Sequence, residues 1–250
     1  VLLTNNVSAS RFASHDGSLN GIQLPNQWAI DPLEGLHALQ RHCTDNQVVV
    51  CRNTRATNVY TDHSGTIVAT NRGTIRADAV VFAIGPWTGD LLEGFSEKVV
   101  PVREHVQSGR QAGADTVQVI RAQNGYIQWR SSASHWAISG ARWATPHLEV
   151  GERDTTQTPD SITIALEQFR ARLMEHPLDP QHVQRYLWAK TCDGLPIIGP
   201  VPGRSTWICC TGFMGNDWGF GIRAGKAVAD GLLSGTAPGI PDWLTATRFL

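Results

Sequence analysis

The sequence predicts a mixed α/β fold with an antiparallel sheet inserted into it, and three stretches carry that prediction. Ala79 to Ile84 is an unbroken apolar run stopped by Gly85-Pro86-Trp87, the pattern of a strand buried on both faces. Between Lys98 and Arg142, strand-length runs alternate with polar turns such as Asn124-Gly125, which reads as an antiparallel sheet forming a separate layer or second domain. Near the end, the apolar run Trp207 to Cys210 leads through Gly212, Gly215, Gly219 and Gly221 into a helical pattern from Ile222 to Leu233. A strand passing through glycines into a helix start brings bare backbone N–H groups against an anionic or electron-rich ligand. Tight packing for its own sake is the plain alternative for any one of these glycines.

Bulk properties narrow the class. The 250 residues suffice for one large domain or two small ones. The 21 basic and 22 acidic residues nearly balance, which argues against a generic nucleic-acid surface, and the 41% hydrophobic content fits a globular protein. No apolar run approaches the roughly 20 residues of a membrane span. The five cysteines have no metal spacing and the histidines are scattered, so no metal site is expected. Free thiols in a reducing compartment follow, with the cytoplasm as default location. The chain opens on Val1, and its first 12 residues do not read as a signal peptide.

Taken in order, Val1 to Gln27 reads as irregular or short-strand structure with turns at Asp16-Gly17 and Asn20-Gly21. Asp31-Pro32 is a helix start, with Asp as cap and Pro at the first position, and the helical spacing lasts to about Cys43. Val48 to Cys51 is a β-branched run suited to a strand. Thr54 to Thr61, Thr66 to Thr70 and Thr74-Ile75 suggest a small meander, with turns at His63-Ser64-Gly65 and Asn71-Arg72-Gly73. After Ile84, Thr88 is placed to cap a short helix through Leu92. The middle sheet is expected from Val99 to Val106, Thr116 to Ala122, Tyr126 to Arg130 and His135 to Gly140. A loop over Ala144 to Thr158 precedes a helix after Asp160-Ser161 with Ile164-Ala165, Phe169 and Leu173 on one face, ended by Pro177. Gln184 to Lys190 returns as a strand.

Three stretches together resemble the FAD-dependent amine and amino-acid oxidoreductases of the glycine oxidase, sarcosine oxidase and D-amino-acid oxidase type. Thr74-Ile-Arg-Ala-Asp-Ala-Val-Val-Phe-Ala-Ile-Gly-Pro-Trp-Thr is similar to the family's Ala-Asp-x-Val-Val-x-Ala-x-Gly-x-Trp segment. Thr191-Cys-Asp-Gly-Leu-Pro-Ile-Ile-Gly is similar to Thr-Pro-Asp-Gly-x-Pro-x-Ile-Gly. Thr211-Gly-Phe-Met-Gly-Asn-Asp-Trp is similar to Thr-Gly-(Phe or His)-x-Gly-x-Gly-(Phe or Trp). Asp31-Pro32 matches the family's helix start.

The resemblance implies a doubly wound FAD-binding part built from discontinuous segments, 1–95 and 188–250, with an antiparallel-sheet substrate domain inserted at 96–187. It places Ala56, Ala83, Gly85 and Trp87 near a non-covalent FAD. It brings Gly194, Pro196, Ile197, Gly212, Phe213, Gly215, Asn216, Asp217, Trp218, Gly219 and Phe220 to the flavin ring. Such enzymes oxidise the CH–NH bond of a small amine or amino acid by hydride transfer to flavin N5 and pass the electrons to oxygen or another acceptor. N–H groups and a positive helix end would stabilise the charge gained on reduction.

Three features depart from that pattern. The family's Gly-x-Gly-x-x-Gly unit for the FAD pyrophosphate has no counterpart here. Three accounts stand side by side: part of a longer enzyme, a subunit whose dinucleotide fold a partner chain supplies, and a non-catalytic relative. Cys192 replaces the usual Pro, and Trp188-Ala-Lys190 stands where many relatives carry a carboxylate-binding Arg. A guanidinium fork suits a carboxylate better than an ammonium. Arg130 is therefore the leading substrate partner, then Arg142, with Lys190 and Trp218 as further catalytic candidates.

Overall fold

The computed structural model describes residues 2–5, 10–13, 17, 20–23, 27–63, 65–111, 118–176, 178–234 and 240–250, with backbone alone for 2–5, 10–13, 20–23 and 27–29. In chain order the elements are β1 (Leu2–Asn5), β2 (Ser10–Ala13), β3 (Asn20–Gln23), β4 (Gln27–Ile30), α1 (Pro32–Asp45), β5 (Ala56–Asp62), β6 (Gly65–Thr70), β7 (Gly73–Ala77), β8 (Val80–Phe82), α2 (Thr88–Leu91), β9 (Val99–Arg110), β10 (Gln118–Ala122), β11 (Ile127–Ser131), β12 (His135–Gly140), α3 (Asp160–Leu173), β13 (His182–Thr191), β14 (Ile197–Val201), β15 (Arg204–Thr211) and α4 (Asp217–Ser234). This mixed α/β architecture matches the predicted class. Among the described residues no helix is long and apolar enough to cross a membrane.

Contacts gather the chain into two compact units. One takes Val1–Arg52, Glu104–Glu149 and Thr155–Tyr186; the other takes Asn53–Arg103, Val150–Asp154 and Leu187–Leu250. β9 and β13 each begin in one unit and end in the other.

In the first unit, the antiparallel order is β10-β11-β12-β9-β13. Alternate residues of β11 and β12 point to one face, where Ile127, Trp129, Trp136 and Ile138 pack against Ile162, Leu166 and Phe169 of α3. Trp129 and Trp136 stack with centroids 5.9 Å apart. Each such buried side chain stabilises by about 1.5–3 kcal/mol. Buried side chains that can carry charge find polar or aromatic partners, as their desolvation demands. Arg170 donates to Gln107 at 3.0 Å and lies 5.1 Å from the Trp136 ring. His105 and Glu149 sit 2.9 Å apart. At α1, Asp31 accepts hydrogen bonds from Leu33 and Glu34 at 2.9 and 3.1 Å, and Pro32 opens the helix.

In the second unit, β5, β6 and β7 form the expected meander. A mixed three-stranded sheet has the order β14-β15-β8, with β14 and β15 antiparallel and β15 and β8 parallel. Its two faces follow the period of two. Phe82, Ile197, Trp207 and Cys209 join Val59, Leu92 and Phe95 on one side. Ile198 and Ile208 meet Ala224 and Val228 of α4 on the other.

Several local expectations are corrected. Val48 to Cys51 forms no strand: Gln47 and Asn53 turn the chain at φ 62° and 55°, and Val49 is 85% exposed. Asn20-Gly21 opens β3 instead of turning, while Asp16, Ser64, Thr116 and Pro177 lie outside the described residues. The run Ala79 to Ile84 is not buried on both faces. Its strand is the sheet edge, and Val81, beyond the cluster that α4 covers, is 41% exposed. Thr88 does not cap its helix, because its hydroxyl donates backwards to the Gly85 carbonyl. Gly219 and Gly221 belong to α4, so the turn before it ends at Asn216.

Candidate cofactor site

The site grows from the parallel pair β8 and β15. Trp207, Ile208 and Cys209 register with Val80, Val81 and Phe82, so both strands end at one edge of the sheet. Ligands of α/β sheets bind outside such carboxyl ends. Each strand leaves through a glycine with positive φ, Gly85 at 54° and Gly212 at 77°. Two threonines tie the exits together. Thr88 donates to the Gly85 carbonyl at 2.7 Å, Thr211 donates to it at 3.2 Å, and the two hydroxyls are 3.2 Å apart. Thr88 and Thr211 are buried, where a satisfied hydroxyl network holds its geometry.

The Asp-Gly turn joins the same edge. β14 runs antiparallel to β15 with Ile197 opposite Thr211, so Gly194 to Ile197 arrives where β15 ends. A Cβ on Gly212 would stand 2.4 Å from Thr191 Cγ2 and 3.8 Å from Pro196 Cα, which makes Gly the only residue that fits. Thr191 itself is fully buried. Gly194, at φ 77°, lies with its absent Cβ 3.9 Å from Met214 Cε.

Beyond Gly212 the chain turns over Phe213, Met214 and Gly215 and enters α4. The Asn216 carbonyl accepts from Gly219 and Phe220 at 3.0 and 3.1 Å, and the Asn216 amide reaches back to the Phe213 and Met214 carbonyls at 3.4 Å. Asp217 places a carboxylate in the first helical turn. A Cβ on Gly85, Gly215, Gly219 or Gly221 would meet nothing within 4 Å. Bare backbone with open space beside it leaves room there for the face of a planar ring. Trp87, Leu195, Trp218 and Phe220, all exposed, supply apolar surface in the same unit.

The structure thus brings together Gly85, Gly194, Pro196, Ile197, Gly212, Phe213, Gly215 and Asn216, with the first turn of α4 following. Ala83 is exposed just after β8, and half-buried Lys190 precedes Thr191 on β13. Ala56 opens β5 opposite Thr70, with no contact of its own to this edge given by the register. Arg130 lies on β11 in the other unit and donates to the Ile30 carbonyl at 3.3 Å. Arg142 is committed elsewhere: its Nε is 3.2 Å from Glu104, and its guanidinium is 4.9 Å from the Tyr126 ring.

Sequence reasoning missed Thr88 and Arg248. Arg248 forms a fork with Asp193, Nε to Oδ2 at 2.6 Å and Nη2 to Oδ1 at 3.1 Å. That hydrogen-bonded pairing holds the Asp193 carboxyl below the usual carboxylate range. Burial pushes the Cys209 thiol up to about 12.

The chain is 31% identical over 175 residues to the glycine oxidase of Pseudomonas aeruginosa, covering 68% of this chain and 46% of that protein. The chain spans about half the length of the curated relatives it matches. The glycine oxidase structure from Geobacillus kaustophilus superposes with a TM-score of 0.81 at 19% identity, over 97% of this chain and 68% of that one. L-proline dehydrogenase from P. horikoshii follows at 0.76 and 16%, over 94% and 64%. The family model described as FAD dependent oxidoreductase matches residues 6–231. The chain belongs to this DAO family of FAD-dependent oxidoreductases.

Proposed function

We propose that the protein oxidises the CH–NH bond of a small amine or amino acid, with non-covalent FAD held at the shared end of β8 and β15. The carrying observation is the meeting of three glycine turns there, at Gly85, Gly194 and Gly212, on an edge with open space beside Gly85 and Gly215. The 31% identity to a glycine oxidase supports the substrate class. FAD, when bound, would supply the redox chemistry as acceptor of the electrons from the CH–NH bond, with oxygen or another acceptor reoxidising it.

The chain's residues supply position and charge. Gly212 to Gly215 and the first turn of α4 offer N–H groups and a positive helix end for the cofactor, while the Asn216 N–H closes the turn on the Phe213 carbonyl at 3.0 Å. Arg130 binds the substrate carboxylate. It stands on the sheet face opposite the Trp129 cluster, between Val119 and Ala137 in register, and makes one long bond to a carbonyl. That leaves most of its fork for an anion, whereas Arg142 is spent on Glu104. Lys190 offers a second positive charge beside the Asp-Gly turn.

Turnover tests the proposal. FAD-saturated protein is given glycine, sarcosine, D-amino acids and N-methyl amino acids, with peroxide and dye reduction followed. Turnover with at least one substrate is expected. Arg130→Met should raise KM about 30-fold or more, the loss of a charge-assisted pair worth about 2–3 kcal/mol. Turnover unaffected by that change would remove Arg130 from the site, and none in either assay would sink the activity.

A further inference from the structure

We propose that Arg248 is a positioning residue for the cofactor turn, so that the chain's last segment belongs to the functional site. The inference rests on the reading that the Thr191–Ile197 turn serves FAD, and adds what sets that turn's shape.

The Arg248 guanidinium is organised around a single object. Its Nε and Nη2 grip the Asp193 carboxylate as a fork. Nη2 also donates to the Leu195 carbonyl at 2.8 Å, and Nη1 donates to the Pro196 carbonyl at 3.1 Å. Nη1 returns to the Thr245 carbonyl at 3.1 Å, which anchors the arginine in its own segment. One planar group thus holds the carboxylate and two successive carbonyls of the turn. Only guanidinium has donors enough, in a fixed plane, to do so. The Asp193 Oδ1 atom meanwhile accepts from the Leu195 N–H at 3.1 Å, closing the turn from inside.

The base of this latch is solid. Arg248 lies 4.4 Å over the Phe249 ring, and Ala246 is buried in the cluster with Ile197 and Cys209. Thr245 Cγ2 stands 3.2 Å from the place of a Cβ on Gly199 in β14, so the segment rests directly on that strand. The side chain of Arg248 is 12% exposed and that of Asp193 33%, so the fork lies half-sheltered, and its two-point geometry distinguishes it from a loose surface pair. The turn needs such a hold. Gly194 takes φ 77°, and Thr191 Cγ2 fills the space where a Cβ on Gly212 would stand, so the fit of Thr191 beside Gly212 depends on the turn keeping its place.

The test uses the full chain and four variants: Arg248→Lys, Arg248→Met, Asp193→Asn and the Arg248→Met/Asp193→Asn pair. Amide hydrogen exchange at Gly194, Leu195 and Ile197 reports the turn, and titration with excess FAD, followed by flavin fluorescence and absorption, reports the cofactor. Arg248→Met should speed exchange at Gly194 and Leu195 at least tenfold and weaken FAD binding at least tenfold. Arg248→Lys should recover only part of each loss. Asp193→Asn should add less than twofold once Arg248 is gone, because the two act through each other. Unchanged exchange in Arg248→Met overturns the proposal. So does faster exchange with FAD affinity intact, since the turn would then be held for something other than the cofactor. No FAD binding by the parent, with exchange still raised by Arg248→Met, would sink the FAD reading and leave the latch standing.

Discussion

Gly212 carries the tightest constraint at the residue scale. It combines φ 77° with a 2.4 Å approach of Thr191 Cγ2 to its missing Cβ. Gly212→Ala should cost about 2–4 kcal/mol in urea unfolding, the sum of left-handed strain and overpacking. Adding Thr191→Ser removes the clashing methyl and should return about 1 kcal/mol, leaving the backbone cost. Asp193 gives a pH test. Its folded-state pKa is lowered by Arg248, so its contribution is full above the unfolded value of about 3.9 and is lost as pH falls through the lower folded value. The stability gap between parent and Asp193→Asn should stay constant from neutral pH down to about 4.5 and close below that. A gap that persisted at the acid end would mean the carboxylate is not what Arg248 holds. Gly212 was legible because a glycine directly after a buried strand is a local signal. Thr88 and Arg248 were not. Beyond its local bond to Gly85, Thr88 reaches Thr211 at 123 residues' distance and Arg248 reaches Asp193 at 55, and no local pattern marks a side chain that acts at such range.

At the scale of elements, strands and helices with strong local signals were read well. α1 starts at Pro32 under its Asp31 cap, and the meander β5 to β7 turns where its glycines stand. The failures share a cause. Val48 to Cys51 has the composition of a strand but lies between two left-handed residues, and a strand exists only where a neighbour accepts its ladder. Val81 has the composition of a fully buried strand but sits at a sheet edge, which composition cannot report. Gly219 and Gly221 argued for a turn but lie in α4, whose Ala224 and Val228 are buried against Ile198 and Ile208. Packing there outweighs the helix penalty of about 1 kcal/mol per glycine. The contact between α3 and its sheet is testable in the same terms. Leu166 is fully buried beside Trp129 and Trp136, so Leu166→Ala should cost about 2–5 kcal/mol by thermal or urea unfolding. A cost under about 1 kcal/mol would mean that α3 does not carry that cluster.

For the whole molecule, the strongest reading of the sequence was the order of three motifs, the first more than a hundred residues before the other two, and the fold joins them. Gly85, Gly194 and Gly212 meet at one sheet edge because β8 and β15 run parallel and β14 folds back beside them. The sequence carries no Gly-x-Gly-x-x-Gly unit for the pyrophosphate. The chain should therefore hold FAD weakly through purification and bind it when FAD is supplied in excess. The central claim is that this edge presents FAD to an amino acid. Its most direct test is the absorption spectrum of the FAD-saturated protein during anaerobic addition of glycine, sarcosine and D-amino acids. The account predicts bleaching of the oxidised flavin band by at least one of them, and a slower or weaker response in Arg130→Met. A flavin bleached by dithionite but by none of these substrates would contradict it.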